Sequence, residues 1–376
     1  MRISIVLGTR PEIIKMSPVI RELERQGRSY FILHTGQHYT HDMDAVFLEG
    51  LKLPQPKYNL GVGSGTQAEE TGKMLIGVEE ELRKEGPEVV LVEGDTNTVL
   101  AGALAAAKLH IRVGHVEAGL RSFDRRMPEE VNRTVADHIS DYLFAPTEGA
   151  RRNLLREGIP QERVFVTGNT VVDALQQNLK LAKESRNEEV ADFGPHLLCT
   201  LHREENVDDP ARLKGIFRGL ELVHARLGVK IVYPMHPRTR SRCREHGIEP
   251  PEGTWVVEPL DYFSFLKLES EASLILTDSG GVQEEACILK VPCVTIRENT
   301  ERPETVEVGA NVVAGVEPEG ILKSALRMME SRREWPNPFG DDHAAERMVN
   351  ILEGSCHEIS AIYQIAARYA LTVLVL

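Results

Sequence analysis

Ser279, Gly280 and Gly281 separate an apolar run, Ser273–Thr277, from a helix-forming stretch that begins at Val282. Residues of these types at that place can hold an anion. Glycine lets a ligand approach the backbone, the first N–H groups of a helix have no partner within it, and the helix dipole adds partial positive charge at that end. Phosphate or diphosphate is the fitting ligand. Glu285, on the first turn, is itself anionic and unsuited to phosphate, but it can accept hydrogen bonds from sugar hydroxyls. Phosphate beside vicinal hydroxyls points to a nucleotide. The bland reading of the same residues is a tight strand-to-helix turn of any α/β domain.

Other candidates stand where further apolar runs end. Arg10 and Lys15 follow Ile3–Leu7 and Gly8, and are either ligand cations or solvated surface charges. Asp95 follows Val89–Glu93 and can equally cap the helix after it, whereas Glu117, before Ala118-Gly119, has no helix to cap. Glu129 and Glu130 open a helix behind Pro128, where they can act on a ligand or only complement the dipole. His202 and Arg203 end the run His196–Leu201, and Glu258 to Phe263 follow Trp255–Val257. Carboxylates with a histidine and arginines suit acid and base work on an anionic substrate.

Strands ending in polar clusters, each followed by a helical pattern, describe doubly wound α/β domains with ligands at the carboxyl edge of the sheet. The first turn lacks GxGxxG, so a dinucleotide loses its fingerprint. At 376 residues two domains are expected. We place them at 1–182 and 183–342, with a C-terminal helix, 343–376, returning to the first. Ligand edges that face each other would bury a nucleotide in the cleft between the domains.

Composition narrows the class. Apolar content of 41% and charged content of 27% are those of a soluble globular chain, and the net charge of −13 argues against nucleic acid as partner. Five scattered cysteines without a CxxC pair argue for a reducing compartment and against both a disulfide framework and zinc. No signal peptide is read before the first strand, and the expectation is a cytoplasmic protein. The apolar tail after Gly354 is shorter than the roughly 20 residues that span a bilayer and carries Arg368, so a docked helix is expected rather than an anchor.

Taken together, GTRPE at 8–12, EGDTNT at 93–98, HVEAGLRS at 115–122, MPEEVNR at 127–133, LHREEN at 201–206, HPR at 236–238, DSGGVQEE at 278–285 and TERPE at 300–304 closely resemble the non-hydrolysing UDP-N-acetylglucosamine 2-epimerases. The resemblance holds in order from residue 1 to about residue 350. It implies a glycosyltransferase-B-like fold, a homodimer, and interconversion of UDP-GlcNAc and UDP-ManNAc with neither nicotinamide nor metal. In bacterial members UDP-GlcNAc is also an allosteric activator, and the product feeds surface polysaccharide synthesis. By motif, Arg10 and Lys15 match residues near the substrate, Asp95, Glu117 and Glu129 the catalytic acidic residues, and His202 the catalytic histidine by the diphosphate. Ser279, Gly280 and Gly281 match the diphosphate loop, Glu285 the ribose carboxylate, Arg302 a phosphate or sugar contact, and Phe263 a neighbour of the uracil. Glu258 stands where some members have Gln, and the tail after Gly354 departs from the pattern. Gln37, His38 and the Gly61–Gln67 loop lie where a second nucleotide could sit.

The implied chemistry asks for these residue types. Carbon 2 of the sugar has no adjacent carbonyl, so its proton must leave as UDP departs from carbon 1, giving a glycal; re-addition of UDP with protonation on the other face inverts carbon 2. A base, an acid for the opposite face, and positive charge on the departing diphosphate are required. Asp95, Glu117 and Glu129 can divide the first two roles, and His202, Arg302 and the helix N-terminus can supply the third. Rival readings are a hydrolysing relative that releases ManNAc and UDP, a glycosyltransferase of the same fold, and a non-catalytic sugar-nucleotide sensor.

Overall fold

The computed structural model describes residues 1–36, 41–184 and 193–354. The described residues form two compact units, one from the chain before residue 175 together with 339–354, the other within Leu175–Pro338. The division falls inside the helix Thr170–Glu184, where the sequence reading placed it after residue 182. The first turn of that helix is tied to the first unit, since buried Asp173 accepts the backbone N–H groups of Ala344 and Ala345 at 3.3 and 3.0 Å.

In the first unit seven strands form one parallel sheet: β1 (Arg2–Leu7), β2 (Ser29–His34), β3 (Tyr58–Asn59), β4 (Val89–Glu93), β5 (Arg112–Val116), β6 (Tyr142–Ala145) and β7 (Val164–Val166), in the order β3-β2-β1-β4-β5-β6-β7. The central strands read as continuous apolar runs because helices cover both faces. Among them β4 is buried along its whole length, although it ends in a glutamate. The Ala-rich helix Asn97–Lys108 lies close on this sheet, and Gly102 permits the approach: a Cβ there would come within 3.0 Å of Val92 and 3.2 Å of Val6. All the strands run the same way, so their carboxyl ends share one edge. The helix at 344–354 belongs to this unit, with Arg347 donating to the Thr167 carbonyl at 3.1 Å and Gln26 to Asn350 at 3.2 Å.

The second unit repeats the plan with six parallel strands: β8 (His196–Thr200), β9 (Lys230–Pro234), β10 (Thr254–Val257), β11 (Leu274–Thr277), β12 (Cys293–Thr295) and β13 (Asn311–Val313), ordered β10-β9-β8-β11-β12-β13. Its core gathers Leu197, Cys199, Ile216, Leu220, Tyr233 and Leu276 on one face and Leu198, Val232, Ile275 and Ala286 on the other.

Two features differ from the sequence reading. The helix expected from Val282 begins at Gly280, because Ser279 takes the N-cap position and the glycines fill the first turn. Strands β3 and β13 escaped notice, being two and three residues long without apolar alternation. Gln37, His38, Cys356 and the tail lie outside the described residues. No helix among the described residues is long and apolar enough to cross a membrane.

Candidate active site

At the carboxyl edge of the first sheet, the helix Arg10–Arg25 starts with a capping box: Thr9 is the N-cap and Glu12 reaches back to it. The Glu12 carboxyl accepts the N–H groups of Gly8 at 2.5 Å and Thr9 at 2.9 Å, and the Thr96 hydroxyl from the end of β4. Burial nevertheless pushes its pKa to about 7. One turn further on, the Lys15 ammonium lies 2.7 Å from Glu117 and 3.2 Å from Glu93. Glu117 also accepts the Asn169 side-chain amide at 2.9 Å. Its backbone is left-handed, with φ of 67°, an uncommon conformation for a side-chain-bearing residue and one that tends to mark functional sites.

Asp95 is held from the helix Pro128–Ile139. Arg133 donates to its carboxylate, and Asn132 donates to its backbone carbonyl at 3.0 Å. Glu129 is exposed on the first turn of the same helix, four residues before Arg133 and so on the same face. Glu130 has a supporting part: it accepts the N–H groups of Ser122 and Phe123 at 3.0 and 2.9 Å and pairs with Arg133 at 2.6 Å. Burial would raise Glu130, but those donors outweigh it and hold its carboxyl below the usual range.

A buried network fixes the two strand ends relative to each other. His115 on β5 faces the Asp137 carboxylate at 2.7 Å through Nδ1 and the Gly94 carbonyl at 2.8 Å through Nε2. Both neighbours are acceptors, so the ring satisfies both only as imidazolium. Burial opposes that charge, yet Asp137 and the carbonyl prevail and raise the pKa. Asp137 also binds Arg121 at 2.7 Å and the Gly119 N–H at 3.1 Å. Arg10 lies over the Phe47 ring, 5.4 Å from its centroid. A cavity of about 400 Å³ on this unit is lined by Arg125, Val131 and Val135 together with Arg121, Phe123 and Glu130 of these groups; Lys15 is not in its lining.

In the second unit the helix Gly280–Leu289 points its N-terminus at the carboxyl edge. Ser279 caps it weakly, 3.5 Å from the Val282 N–H. Neither glycine has a positive φ, and a Cβ at Gly280 would meet nothing nearer than Glu301 at 3.6 Å, at Gly281 nothing nearer than 3.9 Å. The fold therefore does not demand glycine here, which leaves close approach by a ligand as its use.

Beside this turn, buried Asp278 accepts the N–H groups of His202 and Arg203 and the Asn206 amide, and lies 3.2 Å from His202 Nδ1. Burial alone would raise Asp278, but the His202 ring and these donors hold it below its ordinary value. The other face of His202 is open, its side chain 42% exposed. Arg302 pairs with buried Glu284 at 2.7 Å. Glu285 neighbours Glu269, a fully buried carboxyl whose pKa is raised by burial first and then by the charge of Glu285.

Sequence reasoning thus singled out residues that lie in two groups, Lys15 with Glu117 and Asp95 in one unit, His202 with Ser279–Gly281, Glu285 and Arg302 in the other. Glu258 stands apart, 78% exposed and paired with Arg240, and Phe263 packs edge-on against Tyr262 with centroids 5.4 Å apart. It missed Glu12, Glu93, Arg133, Asp278 and Glu269. A glutamate ending the otherwise apolar VVLVE was a readable signal for Glu93, while Thr9-x-x-Glu12 reads as an ordinary capping box. Among the described residues no three His, Cys, Asp or Glu side chains are arranged to hold a metal ion.

Comparison with known proteins places these groups in a family context. Residues 21–353 match the family described as UDP-N-acetylglucosamine 2-epimerase. The UDP-N-acetylglucosamine 2-epimerase of Methanocaldococcus jannaschii is 56% identical over 361 residues, 94% of this chain and 99% of the relative. Its crystal structure in complex with UDP-GlcNAc and UDP superposes with a TM-score of 0.85 over the same shares of the two chains. The UDP-2,3-diacetamido-2,3-dideoxy-D-glucuronate 2-epimerase of Pseudomonas aeruginosa is 42% identical over 94% of this chain and 99% of its own. In fold alone the likeness reaches the glycotransferase of kitacinnamycin, 12% identical over 93% of this chain and 98% of that one, with a TM-score of 0.60. The architecture is glycosyltransferase-B-like.

Proposed function

The chain belongs to the UDP-N-acetylglucosamine 2-epimerase family, and we propose that it interconverts UDP-GlcNAc and UDP-ManNAc by eliminating UDP to a 2-acetamidoglucal and adding it back. The observation that carries this reading is the set of carboxyls at the carboxyl edge of the first sheet, Glu117 held on Lys15 and Asp95 held on Arg133. Such a pair can divide the labour of removing a proton from one face of carbon 2 and delivering one to the other. As the carbon 2 proton leaves to a carboxylate, the bond between carbon 1 and the diphosphate oxygen breaks and its electron pair goes with UDP. Re-addition forms that bond again while a carboxylic acid protonates carbon 2 from the opposite side. Hydride never moves, so the route asks for no nicotinamide.

The second unit offers what the nucleotide end needs. The first N–H groups of the helix at Gly280 and Gly281, the exposed edge of His202, and Arg302 suit the diphosphate, whose charge grows as it leaves. Glu285 suits the ribose hydroxyls, and Phe263 an aromatic base. UDP-GlcNAc as substrate is favoured by the 56% identical relative crystallised with it. The fuller reading, a cytoplasmic homodimer activated by UDP-GlcNAc and supplying surface polysaccharide precursors, rests on the family resemblance.

Proton NMR of the purified protein with UDP-GlcNAc tests the reaction. We expect anomeric signals of UDP-ManNAc to grow to an equilibrium with no free sugar. Free ManNAc with UDP would instead assign a hydrolase. Turnover of the diacetamido uronate nucleotide but not of UDP-GlcNAc would reassign the substrate.

A further inference from the structure

We propose that Glu93 is a positioning residue: it keeps a proton, donates it as a hydrogen bond to the Glu117 carboxylate, and so leaves Lys15 to hold Glu117 as the ionised base. This deepens the epimerase reading and rests on it for the role of Glu117. Glu93 ends β4, and in the sheet register it sits beside Val116 of β5, one residue before Glu117. Side chains alternate along a strand, so register alone would send Glu117 to the other face; its left-handed backbone breaks that alternation, and Lys15, within 3.2 Å of both carboxyls, shows that they meet. Glu93 is 2% exposed, and the cation beside it is Lys15 at 3.2 Å.

The charge count fixes the proton. Two carboxyls, with side chains 2% and 6% exposed, flank one ammonium, and Glu12 faces them from the same helix as Lys15. Two full negative charges so close in a buried place repel, and one proton retained between them relieves the repulsion. Geometry says where it sits. Lys15 is 2.7 Å from Glu117, which also receives the Asn169 amide, whereas the Glu93 oxygen facing Lys15, at 3.2 Å, receives no aligned hydrogen bond. The better-solvated carboxyl is ionised and the poorer one keeps its proton. Burial, then Glu117 and Glu12 against the opposing Lys15, put the Glu93 pKa well above the carboxylate range. During turnover Glu117 takes the carbon 2 proton and returns to the carboxylate by releasing it to solvent, while the acid on the opposite face regains from solvent the proton it gave to carbon 2; the Glu93 proton stays in place.

The groups facing Glu93 are Lys15 and Glu12 from the helix after β1 and Glu117 from the end of β5. The test compares Glu93→Leu with Glu93→Gln, whose amide still donates. In Glu93→Leu the acidic limb of kcat/KM for UDP-GlcNAc is expected to move up by about one pH unit, a loss of about tenfold at the foot of the limb that recovers at high pH. Glu93→Gln is expected to return the limb to its wild-type place. Glu93→Gln as inactive as Glu93→Leu at every pH would make Glu93 an ionising participant, and two unmoved limbs would leave it no role; either result overturns the proposal. Infrared difference spectra separate this from a failure of the epimerase reading, because they need no turnover. Wild type minus Glu93→Gln must show a protonated carboxyl stretch at neutral pH, and a carboxylate band in its place contradicts the proposal even if UDP-GlcNAc is no substrate.

Discussion

Asp95 and Glu130 show how partners sort carboxylates into roles. Glu130 is buried and consumed by two backbone N–H groups, a hydroxyl and Arg133, so it holds the loop at Ser122 and Phe123 in place. Asp95 is half-buried, with Arg133 on one oxygen, which leaves it access to a substrate. Asp95→Asn keeps the shape but cannot take a proton. We expect kcat to fall by roughly 10²–10⁴, the usual worth of general acid or base catalysis, with UDP affinity within about threefold of wild type. Steady-state rates with calorimetric UDP binding read both, and unchanged turnover removes Asp95 from the mechanism.

The helix Gly280–Leu289 is the element on which diphosphate binding turns. Its glycines lie at ordinary φ with room for a methyl group, so Gly280→Ala and Gly281→Ala should leave stability unchanged or raise it by up to about 1 kcal/mol. The same methyl would stand where a diphosphate must approach. UDP affinity should therefore fall at least about tenfold, or about 1.4 kcal/mol, while the melting temperature holds. Affinity within twofold of wild type would move the diphosphate elsewhere. How far sequence could see is clear at this turn: an apolar run, a Ser-Gly-Gly and a helix were legible, because parallel strands announce themselves as unbroken apolar runs and all end at one edge. The helix start was read two residues late, since glycine signals a turn until a capping serine lets it be helical. Partnerships across strands were not legible at all. Glu93 meets Lys15 because the sheet order sets β4 beside β1, whose following helix carries the lysine, and Glu269 meets Glu285 through the packing of two helices; neither leaves a mark in local spacing. His115 shows the same limit, its charge being set by acceptors 21 and 22 residues away.

For the whole molecule, a net charge of −13 is compatible with an anionic substrate only if positive potential is gathered locally. Each unit does this in its own way, the first with Lys15 and Arg133 among carboxyls, the second with a helix N-terminus, His202 and Arg302. Among the described residues the cysteines are inert: Cys199, Cys243, Cys287 and Cys293 are free and buried, and burial pushes the Cys287 thiol to about 12. In the proposed reaction carbon 2 loses its own proton and gains one through the protein while UDP is detached. Proton NMR of the reaction in deuterated water tests it most directly. UDP-ManNAc is expected to carry deuterium at carbon 2 from the first turnover, with UDP-GlcNAc acquiring the label as the reaction reverses. Product that retains its original hydrogen at carbon 2 would contradict it.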